Sequence, residues 1–386
     1  MVKSLVDIIK SSKFIRAAGV ALALSTAILP IVSSANETST EHEQSSQEVR
    51  PISELWVINS EGRNEPRMME GNVHAYYDWS PDGKKIVYTK VTPLYGYPPG
   101  FNDLSIYVTS IETLEKCRLV FGENYPESIG NPIWSPNGEQ IAYIMGHRWW
   151  GDGPIPTQDS GIYMMNPDGT EKRKIVDGEN KPDFNKYAWS FDGTEIAYQS
   201  HFKLSKVEID SSSEENEPTE LLDRCNFFSW ANQSYDLVYV SSIIDVGPPL
   251  KSKSLISIIC GNGENKEFFF EANKILGMVW SPEDRYIAFS GRTIEKEDND
   301  IIITDREGKI CYVVDTKFND SQPTWSQDGK EISFVSNKTG NGDIYVFSLE
   351  DESIRQLTFS EHEERLPQWS PDGENIAYLL EKEIKE

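Results

Sequence analysis

The chain has 386 residues, with 37 Lys plus Arg against 62 Asp plus Glu and a formal net charge of -25. A surface this acidic repels phosphate backbones and anionic headgroups, which excludes nucleic-acid binding and lipid docking through a basic patch. The hydrophobic fraction of 38% supports a folded body, and 26 Gly, 21 Pro and 11% aromatic residues give it a turn-rich, β-type composition.

The chain opens on a segment with export signals. Lys3, Lys10, Lys13 and Arg16 form a basic start, Ala17 to Val32 is an uncharged, mostly apolar run, and Ser33-Ser34-Ala35 offers small residues for cleavage. That is the layout of a secretory signal peptide over 1–35. The alternative is an uncleaved anchor, but the run has 16 residues and includes Pro30, shorter than a spanning helix of about 20. No Cys stands near the cleavage site, so no lipid anchor is expected. Residues 36–50 are polar without apolar period and read as a disordered tether. The expected location is the periplasm, the cell-envelope exterior or the medium, with no membrane insertion after cleavage.

From residue 51 the sequence repeats itself. A tryptophan motif recurs at Trp79-Ser-Pro-Asp-Gly, Trp134-Ser-Pro-Asn-Gly, Trp189-Ser-Phe-Asp-Gly, Trp230-Ala-Asn-Gln-Ser, Trp280-Ser-Pro-Glu-Asp, Trp325-Ser-Gln-Asp-Gly and Trp369-Ser-Pro-Asp-Gly. The spacings are 55, 55, 41, 50, 45 and 44 residues. Pro presets the second position of a tight turn and Gly accepts a positive φ at its end. Each motif is followed by an apolar strand-type run: KIVYTK, QIAYIM, EIAYQS, DLVYVS, YIAFSG, EISFVS and NIAYLL. Third strands follow at Ile106-Tyr107-Val108, Ile162-Tyr163-Met164, Val207-Glu208-Ile209, Ile256-Ser257-Ile258, Ile301-Ile302-Ile303 and Ile344-Tyr345-Val346, and fourth strands after short turns, for example Arg355 to Thr358. Four short antiparallel strands per repeat make a propeller blade.

After Trp369 the sequence supplies two strands; before Trp79 it supplies two more, Leu55 to Ile58 and Arg67 to Met69. The predicted fold is therefore all-β: a seven-bladed β-propeller over 51–384, of four-stranded antiparallel blades, with the last blade closed by both chain ends. Such closure removes exposed sheet edges within the ring.

The W-S-P-D-G … I-A-Y … I-Y-V … R-x-L-T pattern resembles the TolB-like propeller repeats of secreted and periplasmic proteins, over about 51–384. The same repeats occur in the propeller domains of prolyl-oligopeptidase-type peptidases. The resemblance implies the fold; the residues that carry it are structural. TolB itself resembles a six-bladed propeller behind an α/β domain, whereas seven motifs stand here and a tether precedes them.

Catalytic signals are sparse. No G-x-S-x-G nucleophile elbow and no G-x-x-x-x-G-K-[ST] phosphate loop occurs in the chain. Cys117, Cys225, Cys260 and Cys311 fall in different repeats without a C-x-x-C pair, which excludes a thiolate zinc site and leaves pairing open. His74, His147, His201 and His362 are placed by topology on one face, where Glu361, Glu364 or Asp78 could complete a divalent-metal site. Oligogalacturonate lyases are similar seven-bladed propellers with a histidine-held metal, but their motif does not map here residue by residue. Four unrelated loop residues remain the alternative, and no cofactor is expected.

Two repeats carry long insertions between second and third strands: Thr92 to Asp103 and Gly146 to Gly161, with a shorter one at Asp245 to Lys253. They bring Tyr95, Tyr97, Phe101, Arg148, Trp149 and Trp150 to one face. Aromatic and Arg side chains on loops of a rigid scaffold are the residue types of binding hot spots. Capping of their own blades is the alternative role. The acidic stretch Ser211 to Glu217 is expected on the opposite face. The expectation is a monomeric, non-catalytic binding propeller for a protein, peptide or glycan. The alternative is a metal-dependent polysaccharide lyase or hydrolase.

Overall fold

The computed structural model describes residues 50–384 apart from 94–101, 122–128, 147, 151–152, 156–159, 179–183, 201, 210–216, 246–250, 271 and 294–295. The described residues form seven four-stranded antiparallel sheets and one two-stranded ribbon. The sheets are blades around a ring, numbered here by their tryptophans from Trp79 (blade 1) to Trp369 (blade 7). Blade 1 consists of Val73–Trp79, Lys85–Pro93, Asn102–Ser110 and Lys116–Phe121. First strands lie innermost, since those of neighbouring blades touch: Val73–Trp79 meets Ile129–Trp134, and Asp320–Trp325 meets Glu363–Trp369.

Blade 7 is built from both chain ends. Its inner strands are Glu363–Trp369 and Asn375–Ile384, and its outer strands are Arg50–Asn59 and Arg67–Glu70. The joint runs from Arg50 opposite Ile384 to Asn59 opposite Asn375 without a register shift. The first outer strand thus begins at Arg50, and its ten residues exceed the four apolar ones that mark it in the sequence.

Each second strand has a neighbouring blade on either side, so its residues are apolar in succession. In blade 1, Ile86, Val87 and Tyr88 are all inaccessible, as expected for a sheet covered on both faces. Seven hydrophobic clusters result, each shared by two adjacent blades. The cluster between blades 7 and 1 joins Leu55, Val57, Met69, Ala377 and Leu379 to Val73, Tyr77, Trp79, Ile86 and Tyr88. The one between blades 6 and 7 joins Val335, Ile344 and Val346 to Ile58, Ile376, Tyr378 and Leu380.

The tryptophan turns close by a repeated side-chain device. Ser80 Oγ donates to Asp82 Oδ1 at 2.6 Å, accepts from Lys85 N at 2.9 Å, and Gly83 N returns to Ser80 O at 2.8 Å. The Ser-to-Asp or Ser-to-Asn bond recurs at Ser135, Ser190, Ser326 and Ser370. Gly83, with φ at 70°, occupies the left-handed position that a side chain would strain. Blade 4 has Ala231 and Ser234 where the turn of blade 1 has Ser80 and Gly83. Asp284 of blade 5 compensates by accepting from Asn232 N at 2.5 Å and Gln233 N at 2.9 Å.

A second device lies three residues before the tryptophan. Asn131, Gln322 and Leu366 all have φ between 53° and 56° there, and the first-strand register slips at each. The slip is a β-bulge that turns a carbonyl toward the next blade. Tyr77 Oη donates to Leu366 O and, at 2.8 Å, to Ala377 O, crossing the joint between blades 7 and 1. Tyr187 Oη does the same to Asn131 O and Ala142 O. The indoles add a further stitch: Trp79 Nε1 donates to Gln368 O, Trp280 Nε1 to Ser229 O and Trp325 Nε1 to Val279 O. Each acceptor immediately precedes the tryptophan of the preceding blade.

Third strands follow the sequence reading with one adjustment. In blade 3 the strand is Lys203–Glu208, so it begins before Val207 and ends before Ile209.

Candidate functional site: the loop face and the inner strands

Starts of first and third strands, and ends of second and fourth strands, share one face of the ring. The insertions lie on this face, partly as extensions of the blade hairpins. In blade 1 the second and third strands stay paired out to Pro93 opposite Asn102. In blade 4 pairing continues to Asp245 opposite Lys251. Thr92, Asp103, Asp245 and Lys253 are therefore strand residues rather than loop residues. In blade 2 the insertion folds into a ribbon of its own, Arg148–Trp150 against Gly153–Ile155, with Trp149 opposite Pro154. Its base is closed where Ser160 Oγ donates to Gly146 O at 2.7 Å.

Of the expected binding residues, Arg148, Trp149 and Trp150 form the first strand of that ribbon. Tyr95, Tyr97 and Phe101 lie outside the described residues, as do His147, His201 and most of the acidic stretch 211–217. His74 stands in the first strand of blade 1 and His362 in the link before that of blade 7. His74 is solvent-exposed yet crowded by protein atoms. Burial and the Arg365 guanidinium together hold its imidazole below the usual histidine range.

Two of the carboxylates expected as metal partners serve the fold instead. Asp78 Oδ2 accepts Trp134 N at 2.7 Å and so ties blade 1 to blade 2. Burial raises Asp78 to about 7, against the two backbone amides it accepts. Glu364, 1% exposed, accepts from the Thr358 hydroxyl, and burial raises it to about 7. Among the described residues, the group of three or more potential ligands that converges is Asp298, Asp300 and Asp315, without a histidine. There the Lys296 ammonium already meets Asp300 at 2.7 Å and Asp315 at 2.8 Å.

The inner strands hold one group that sequence reasoning missed. Lys186 stands three residues before Trp189, where the first strand of blade 3 slips in register. Its Nζ lies 5.9 Å and 5.5 Å from the ring centroids of Phe227 and Phe228 in the first strand of blade 4. Burial pushes this ammonium down to about 8. A lysine at a position held elsewhere by Asn131, Gln322 or Leu366 was the available signal.

Comparisons agree with this geometry. The family described as TolB beta propeller domain matches residues 247–385. The chain is 39% identical over 61 residues to the uncharacterized peptidase YuxL of Bacillus subtilis (strain 168), covering 16% of this chain and 9% of that protein. It is 34% identical over 62 residues to the Tol-Pal system protein TolB of Alcanivorax borkumensis, covering 16% of this chain and 14% of that one. The chain thus spans less than a fifth of the length of either relative. Among solved structures, an oligogalacturonate lyase in complex with manganese superposes with a TM-score of 0.57 at 12% identity, over 80% of this chain and 90% of that one; at that identity the likeness is one of fold. Seven repeats and seven inter-blade clusters make the chain a seven-bladed β-propeller, and the match over 247–385 makes it similar to propellers of the TolB type.

Proposed function

We propose that the protein is an exported, non-catalytic binding propeller whose loop face holds a protein or peptide partner, or a glycan. The observation that carries this reading is the build-up of that face: the hairpins of blades 1 and 4 stay paired out to Pro93 and Asp245, and blade 2 adds a separate ribbon bearing Arg148, Trp149 and Trp150. Interfaces concentrate their energy in aromatic and Arg anchors on rigid supports. The similarity to a Tol-Pal system protein supports a protein partner in the cell envelope. Replacing Trp149 and Trp150 together by Ala should weaken binding of the partner captured from the envelope fraction by about 2–4 kcal/mol, as for buried aromatic anchors. The melting temperature should stay near that of the parent, because each blade keeps its four strands. A lowered melting temperature with unchanged binding would mean that the ribbon caps its blade. Stoichiometric transition metal or calcium in the purified protein would instead favour metal-dependent polysaccharide chemistry.

Export follows from the basic start and small-residue site before Asn36. Protein isolated from its native host should begin near Asn36 by intact mass. Full-length protein retained in membranes would show that the segment is an anchor.

A further inference from the structure

We propose that the outer strand of blade 5, Ile310–Val314, pairs antiparallel with the same strand of a second copy of this chain, about a two-fold axis at Tyr312. This edge lies on the outer rim of the ring and does not depend on the loop-face reading. Every blade ends on an outer strand whose far side has no strand beside it among the described residues. Such an edge shows a row of backbone N–H and C=O groups and invites another chain unless charges discourage it. Six of the outer strands carry charges: Arg67, Lys116, Lys174, Glu220, Glu267 and Arg355 stand one in each. Ile310-Cys-Tyr-Val-Val314 carries none. It is built from residues that favour strands, and Ile310, Cys311 and Val313 are exposed, Ile310 at 48% and Val313 at 49%. Its register slip against the third strand recurs in blades 1, 2, 3 and 7, so the slip is a general feature of the blades and not a guard on this edge.

The flanking charges select a second copy as the occupant. Centred on Tyr312, antiparallel pairing sets Ile310 opposite the partner's Val314, Cys311 opposite the partner's Val313 and Lys309 opposite the partner's Asp315. Glu307, in the turn beyond, comes to the end that holds the partner's Lys317. Two-fold symmetry makes each match occur twice. Sliding the strands by two residues sets Lys309 against the partner's Lys317 in one direction and Glu307 against the partner's Asp315 in the other, and like charges directly opposed are destabilising. Asp315 converges with Asp298 and Asp300, three carboxylates that Lys296 and Lys317 neutralise only in part, so the corner that receives the partner's Lys309 stays acidic. The net charge of -25 makes two copies repel elsewhere, whereas Glu307, Lys309, Asp315 and Lys317 balance at this edge. A five-residue edge is smaller than the roughly 800 Å² per partner of a standard interface, so the association is weak and depends on concentration.

The test is sedimentation velocity on the purified protein from about 10 µM to about 500 µM, with reductant present so that oxidation of Cys311 does not mimic association. The parent should pass from monomer to dimer over that range. V313K places a charge on the edge and should weaken association at least about tenfold, whereas V313T, uncharged and β-branched, should stay within about threefold of the parent. Both should melt like the parent, because the side chain they replace is half exposed. K309E turns attraction to the partner's Asp315 into repulsion and should weaken association about fivefold, while K309R should leave it nearly unchanged. The double Trp149 and Trp150 variant should dimerise like the parent, so failure of the loop-face reading and failure of this one are distinguishable. A parent that stays monomeric throughout, a V313K variant that dimerises as well as V313T, or a K309E variant that dimerises as well as K309R would each overturn the proposal.

Discussion

Acidifying the protein from about pH 8 to about pH 5.5 is expected to raise its melting temperature by about 5 °C, from a stability gain of roughly 3 kcal/mol. The cause is a set of carboxyl groups whose burial outweighs the partners they have, Lys296 beside Asp300 included. Asp320, at the start of the first strand of blade 6, is inaccessible and raised by burial to about 6, although the Thr316 backbone and hydroxyl donate to it. Glu364 and Asp78 are raised by burial to about 7, and Asp300 and Asp343 move in the same direction for the same reason. A carboxyl whose pKa is higher in the folded state holds more protons there than in the unfolded chain. Stability therefore falls as pH rises from the unfolded value, about 4, through the folded one. A tenfold change in proton affinity is worth about 1.4 kcal/mol, and coupling between neighbours keeps the total well below the simple sum.

Groups lowered in the fold work against this trend, His74, Lys186 and Asp315 among them, and they bound the window. His74 is lowered, chiefly by burial, and so favours higher pH below its ordinary value. Asp315, held low by Lys296 and Lys317, loses its contribution as pH falls below the ordinary carboxylate range. The gain should thus peak at mildly acidic pH rather than continue into acid. E364Q should flatten the profile between pH 5.5 and 8, because it removes the titrating group and keeps its shape. A melting temperature that rises steadily from pH 5.5 to pH 8 would contradict this origin of the pH dependence.

The fold was legible because its determinants are local and repeated. Trp followed by Ser-Pro-Asp-Gly encodes a turn whose Ser-to-Asp bond forms within five residues, and the structure shows that bond at Ser80 and its counterparts. The unpaired strands at the two ends were legible by arithmetic alone. What holds blade to blade was harder to read, since the partners lie far apart. Tyr77 reaches Leu366 and Ala377 across the joint, and nothing near Tyr77 announces it. Asp78 looked like a ligand because acidic residues near histidines suggest metal; its bond to Trp134 N is visible only in three dimensions. Lys186 escaped notice because the rings it lies against, Phe227 and Phe228, belong to the first strand of the next blade.

The central claim is that both ends of the chain complete one ring, and deletion of residues 51–69 tests it most directly. Four buried apolar side chains leave with that segment: Leu55, Val57, Ile58 and Met69. At about 2 kcal/mol each their loss is roughly 8 kcal/mol, comparable with the whole stability of a typical domain. The Asn375–Ile384 strand would also lose its ten-residue partner and become an exposed apolar edge displaying Tyr378 and Leu380. Deleting residues 36–49 alone removes no described strand and should change neither solubility nor melting. The measurement is a thermal melt of the two truncations beside the parent, with soluble yield recorded. Ring closure predicts a parent-like transition for the shorter deletion and, for 51–69, loss of the cooperative transition or aggregation; a 51–69 truncation as soluble and as stable as the parent would contradict it.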